Sequence, residues 1–141
     1  MEVIIGHQFP TKVIPLIDSA KQSLKIVVFD WRWYPNDPGA SAQLYNQSII
    51  RASRRGVKIE AISNCDAIVA LLNGEKISAK KLKIKSLVHA KVLIIDGRSV
   101  VVGSHNYTQA AFTTNQELSV YLPDCEKIEI FLNFFNSLWR L

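Results

Sequence analysis

Cysteine is scarce in this chain, with only Cys65 and Cys125 among 141 residues. Two thiols exclude a disulfide framework and leave at most a single bridge, and neither has neighbours at metal-ligand spacing. No run reaches the roughly 18 apolar residues that a membrane span needs. The first ten residues, MEVIIGHQFP, lack the basic start and long apolar run of a secretion signal. The expectation is therefore a soluble, cytoplasmic chain with no stable membrane insertion. Internal repeats and low-complexity tracts are also missing. What is present is ordinary, since 48% hydrophobic and 21% charged residues are the proportions of a globular domain. Residues 1–141 read as one domain, long enough to bury about two thirds of the surface its unfolded chain exposes. Seventeen Lys and Arg against twelve Asp and Glu leave a net charge of +5. That is a bias toward anionic partners such as nucleic acid or acidic lipid.

Taken in order, the chain alternates strand and helix signals. A short strand over 2–5 ends at Gly6-His7. Apolar residues at helical spacing predict a helix from Thr11 to Leu24, with Thr11 as N-cap and Pro15 in its first turn. KIVVFD (25–30) reads as a strand with two apolar faces, and the Pro, Asn, Asp and Gly of WRWYPNDPGAS make a loop. A helix over Ser41–Arg55, stopped by Gly56, leads to a strand over 57–63. Residues 66–81 are helical in part, interrupted near Asn73-Gly74, and LKIKSL (82–87) reads as a strand running into His89. Two apolar runs, Val92–Ile95 and Val100–Val102, flank Asp96-Gly97 as a hairpin. A loop through Thr113 and Thr114, a strand over 115–122 and a last helix from an Asp124 cap to about Arg140 complete the chain. This pattern predicts an α/β fold, a mixed β-sheet sandwiched between helices.

The chemistry concentrates in HAKVLIIDGRSVVVGSHNYTQAAFTTNQE, residues 89–117. On an extended strand alternate side chains share a face, so His89 and Lys91 point the same way. Ser104 and Asn106 repeat that spacing after the second strand. An imidazole, an ammonium, a hydroxyl and an amide are donors that converge naturally on phosphate. The pattern His89-x-Lys91-x4-Asp96-x6-Gly103-Ser104-x-Asn106 resembles the signature of the phospholipase D superfamily. At roughly 5% usage per residue type, all six matching by chance is about a one-in-a-million event. Glu117, eleven residues after Asn106, also falls where that family keeps a glutamate.

The resemblance implies displacement at phosphorus through a covalent phosphohistidine, with neither metal nor cofactor. His89 is the implied nucleophile, and Glu117 the carboxylate that orients its imidazole. Lys91, Ser104 and Asn106 are the implied phosphate-binding donors, with Lys91 also stabilising charge during the reaction. Asp96 lies an odd number of residues from His89, so it faces away from it along a strand and reads as a turn residue. His105 faces away from Ser104 and Asn106 and reads as a satisfied neighbour of the site. His7 reads as a turn histidine. Trp31 and Trp33 suit base stacking, core packing or an oligomer interface. Lys81, Lys83 and Lys85 either track a phosphate backbone or blunt a sheet edge.

Single-motif chains of this length resemble the small bacterial endonucleases of the superfamily. The leading expectation is a nonspecific, metal-independent phosphodiesterase acting on DNA or RNA. The alternatives are a phospholipid hydrolase or transferase and an inactive nucleic-acid-binding module. Because the related reaction uses two histidines and this chain has one H-x-K, the resemblance further implies a homodimer with a shared active site.

Overall fold

The computed structural model describes all residues, 1–141. Its centre is a seven-stranded mixed sheet in the order β1-β7-β6-β5-β2-β3-β4. The strands are β1 (Glu2–Ile5), β2 (Ser23–Val28), β3 (Lys58–Ser63), β4 (Ser78–Lys80), β5 (Val92–Ile95), β6 (Ser99–Gly103) and β7 (Leu118–Leu122). β2, β3 and β4 run parallel, while β5 joins β2 antiparallel and opens the meander through β6 and β7 to β1. All four residues of β5 are buried, as a central strand covered on both faces requires.

The two faces are covered unequally. Helices α1 (Gln8–Asp18), α2 (Ser41–Arg54), α3 (Asp66–Gly74) and α4 (Gln109–Thr113) share one face. There Ile4, Leu24, Ile26, Ile59, Leu93 and Val101 meet Phe9, Tyr45, Ile49 and Phe112 in the larger core. On the opposite face the one helix is α5 (Ile128–Trp139), where Phe135 and its neighbours, with Leu82 and Val88 of the segment before β5, pack against Val27, Ile62, Val92, Ile94 and Val100. The expected sandwich of helix, sheet and helix is thus present, with four helices on one side and one on the other.

Several boundaries differ from expectation for local reasons. The first helix begins at Gln8 and not Thr11, placing Pro10 in the first turn and Pro15 in the interior. Leu24 belongs to β2, because the Asp96 carboxylate gathers the backbone N–H groups of Lys21, Gln22 and Ser23 at 2.7–3.1 Å and starts the strand there. Residues 82–87 form no strand. Leu82 is buried and Lys81, Lys83 and Lys85 are exposed, so the alternation predicted the facing, but no partner strand lies beside it. The loop expected at Thr113 is the end of α4, which Thr108 caps by accepting from Ala111 N at 3.1 Å. Asp124 does not cap the last helix. Its backbone is left-handed (φ 44) and its carboxylate holds Arg98 at 2.7 Å, tying the β5–β6 hairpin to the segment before α5.

Candidate active site

β2 and β3 end at the same edge of the sheet, where ligands gather in open α/β folds. Beyond β2 the chain continues through Phe29 and Asp30, and these two residues join the halves of the motif. The Phe29 ring lies 5.1 Å from the His89 ring and 6.0 Å from Lys91 Nζ, centroid distances that make it an aromatic platform for both. The Asp30 N–H donates to Asn106 Oδ1 at 3.0 Å. With its oxygen occupied, the Asn106 amide presents its NH2 group as a donor. Phe29 and Asp30 were not among the residues the motif singled out. The only sequence signal for them was their place at the end of an apolar strand.

His89 and Lys91 precede β5 instead of lying within it, and His89 is exposed. The expected common direction holds nonetheless, since Lys91 Nζ sits 3.0 Å from His89 Nδ1 and 3.4 Å from Nε2. Burial lowers the Lys91 pKa, and the nearby Glu117 carboxylate works in the opposite direction. Lys91 is therefore in contact with His89 and within electrostatic reach of Glu117. Glu117 itself is hydrogen-bonded to Ser104 and Asn115: it accepts from Ser104 Oγ at 2.6 Å and from Asn115 Nδ2 at 3.2 Å. The expected carboxylate–imidazole bond to His89 is absent from this arrangement. Ser104 gives its one hydroxyl proton to Glu117 while its oxygen accepts from Leu118 N at 3.0 Å, so it buttresses Glu117.

Gly103 explains why the second half of the motif can lie so close to β7. A Cβ there would come within 2.3 Å of Ser119 Oγ and 2.4 Å of the Leu118 carbonyl, so only glycine admits the approach. His105 is buried, with Nε2 donating to the Gly6 carbonyl at 2.9 Å and Nδ1 facing Ser119 Oγ at 2.7 Å. His7 is exposed at the N-cap of α1. Asp96 is at the far end of β5. Its burial would raise its pKa, but the three backbone N–H groups outweigh that and hold the carboxyl below its usual range. Trp31 is buried, whereas Trp33 is half-buried beside a hollow. Both cysteines are free. No three or more His, Cys, Asp or Glu side chains are grouped to hold a metal ion, and no helix is long and apolar enough to cross a membrane.

Residues 13–139 match the family described as cardiolipin synthase, PLD-like domain. The chain belongs to the phospholipase D-like family. It is 27% identical over 140 residues to a mitochondrial cardiolipin hydrolase of Mus musculus, covering 92% of this chain and 58% of that protein. A phospholipase D of Rickettsia conorii is 32% identical over 127 residues, covering 85% of this chain and 59% of that protein. The chain thus spans little more than half the length of these phospholipase D-like relatives. Among solved structures, Nuc from Salmonella typhimurium, a phospholipase D family member, aligns with a TM-score of 0.81 at 25% identity. That alignment covers 99% of this chain and 94% of Nuc.

Proposed function

We propose that this phospholipase D-like chain is a metal-independent phosphodiesterase acting on DNA or RNA through a phosphohistidine at His89, and that it works as a homodimer. The observation that carries this reading is the contact of the exposed His89 ring with Lys91 on the Phe29 platform, whose next residue, Asp30, holds the Asn106 amide oxygen. In the proposed reaction a neutral imidazole nitrogen of His89 attacks phosphorus, and the bond to the leaving oxygen breaks. Lys91 and Asn106 neutralise the charge that builds on the nonbridging oxygens. The leaving alkoxide takes a proton from the imidazolium of a second copy's His89. That ring then deprotonates water, which attacks phosphorus, breaks the P–N bond and restores both histidines.

Two features support pairing of copies. The chain holds one H-x-K motif, and His105, committed at both nitrogens, is not free to serve as the acid beside His89. In addition, β1 and β7 expose Val3, Ile5 and Leu118 (42%, 58% and 53%) on the face that α5 leaves bare. This strip begins one residue from Glu117, which makes it a fitting surface for a two-fold contact.

The names of the curated relatives favour a second reading, hydrolysis of a phospholipid headgroup ester such as cardiolipin. One experiment separates the two: incubation in EDTA with single-stranded DNA, duplex DNA, RNA and cardiolipin vesicles. Cleavage of nucleic acid is the expected result. Faster turnover of lipid, or activity that requires a divalent ion, overturns the proposal.

A further inference from the structure

Close to the candidate active site lies a hollow of about 500 Å³, within the roughly 300–1,000 Å³ range of small-molecule sites. It is formed between the loop after β2 and the start of α3. Its walls are apolar, from Trp31, Trp33, Ile68 and Leu71, and its rim carries Arg32 and Asp66. The walls are rigidly built. Trp31 is 1% exposed and fastened by its indole N–H to Asn46 Oδ1 at 2.7 Å. Trp33 packs on the main core yet remains half-buried, leaving part of its ring toward the hollow.

Both sides of the rim connect to the site. Arg32 is held by Asp30 through Nε at 3.1 Å, and the same Asp30 fixes the Asn106 amide through its backbone. On the other side Asp66 meets Lys81 at 3.5 Å. From Lys81 the exposed Lys83 and Lys85 continue along the irregular segment that ends at His89. An aromatic slot is therefore rimmed by two ion pairs, Arg32–Asp30 and Lys81–Asp66, and the exposed Lys83 and Lys85 continue from it toward the nucleophile.

We infer that this hollow is a subsite for one unpaired nucleobase of the substrate strand, stacked on Trp33, with neighbouring phosphates on Arg32 and the Lys81–Lys85 segment. The inference rests on the nucleic-acid reading of the site. Aromatic and guanidinium faces stack on any base, which gives strength without sequence preference. A base inside a duplex is unavailable to such a slot, so the occupant comes from a single strand or a locally opened one. An acyl chain would find apolar walls here too, but the exposed Lys83 and Lys85 beyond the rim suit a polyanion carrying flat rings far better.

The test uses binding, so that it does not depend on turnover. The full chain with His89→Ala is titrated with a labelled oligothymidine and with an abasic oligomer carrying the same number of phosphates. The expected result is about tenfold tighter binding of the oligothymidine, the order that one stacked base contributes. Adding Trp33→Leu, which retains an apolar side chain but cannot stack, shrinks that preference below about twofold, whereas Trp33→Phe keeps most of it. Arg32→Gln weakens both oligomers and lowers the salt dependence by about one counterion. A preference that survives Trp33→Leu, or equal binding of the two oligomers by the parent, overturns the subsite while leaving the nucleic-acid reading in place. Binding of cardiolipin vesicles and of neither oligomer overturns both.

Discussion

His89 and His105 lie on either side of one hairpin and end in opposite circumstances. His105 is 1% exposed, wedged 4.5 Å from the Phe9 ring, with both nitrogens committed to Ser119 and Gly6. His89 is exposed, and its ring nitrogens have only the Lys91 ammonium beside them. A fully bonded, buried imidazole can neither approach phosphorus nor rotate, so its worth is to the fold. An exposed imidazole beside a cation contributes little packing, and its cation is placed to hold an anion. The same residue type thus does two jobs, and its surroundings decide which.

The sharpest way to break this comparison is His89→Ala. The expected outcome is loss of phosphodiester cleavage to below about a thousandth of wild type, the scale on which nucleophile removal acts, with the unfolding midpoint unchanged. Mixed dimers of wild type and His89→Ala extend the test. If one site is shared by two copies, the mixed dimer keeps a single histidine and loses turnover on ordinary diesters. Hybrids that retain half of wild-type turnover, or a fully active monomer in sedimentation, contradict the shared site.

Glu117→Gln should have the next largest effect. The glutamine keeps the shape and can still accept from one of Ser104 and Asn115, but it removes the charge that opposes the burial-driven drop in the Lys91 pKa. We expect a fall in turnover of about a hundredfold, the scale on which loss of one charge-stabilising group acts at such sites. A purely structural role predicts no change in pH profile. An electrostatic one predicts that the alkaline limb moves to lower pH, because Lys91 gives up its proton sooner without Glu117. Turnover within threefold of wild type and an unmoved alkaline limb would return Glu117 to structure.

The motif residues were legible in the sequence because their chemistry is local. Spacing of two brings His89 to Lys91 even outside a regular strand, and Asp96-Gly97 makes its turn with both residues at positive φ. Asp96 was legible as structural from parity alone, but its partners were not, since Lys21, Gln22 and Ser23 are more than seventy residues away. The same limit hid Phe29 and Asp30, whose roles exist only once β2 is paired with β5. Ser104 illustrates a subtler limit. That its proton goes to Glu117 depends on how close β7 runs, and Gly103 sets that distance. Residues 82–87 show the converse, an alternation of burial with no strand to pair with.

The gentlest test of the comparison titrates His105. Burial lowers its pKa, with the Gly6 bond and the Glu117 charge opposing only partly. The unfolded chain protonates this imidazole near its ordinary value of about 6.5, whereas the folded chain does so only at lower pH. Between those two values the unfolded state binds more protons. The stability His105 contributes is therefore complete above about pH 6.5 and is lost as pH falls through the folded value. In His105→Gln the amide nitrogen can still donate to the Gly6 carbonyl, but nothing titrates. Its stability at neutral pH should fall by about 1–2 kcal/mol for the imperfect replacement of the Ser119 contact. Chemical unfolding curves measured across the acid range isolate the rest, because every other titrating group is common to both proteins. The gap between wild type and variant should narrow as pH falls. Parallel stability curves would mean that His105 stays uncharged in both states or charges equally in both, and its contrast with His89 would then be one of position and not of protonation.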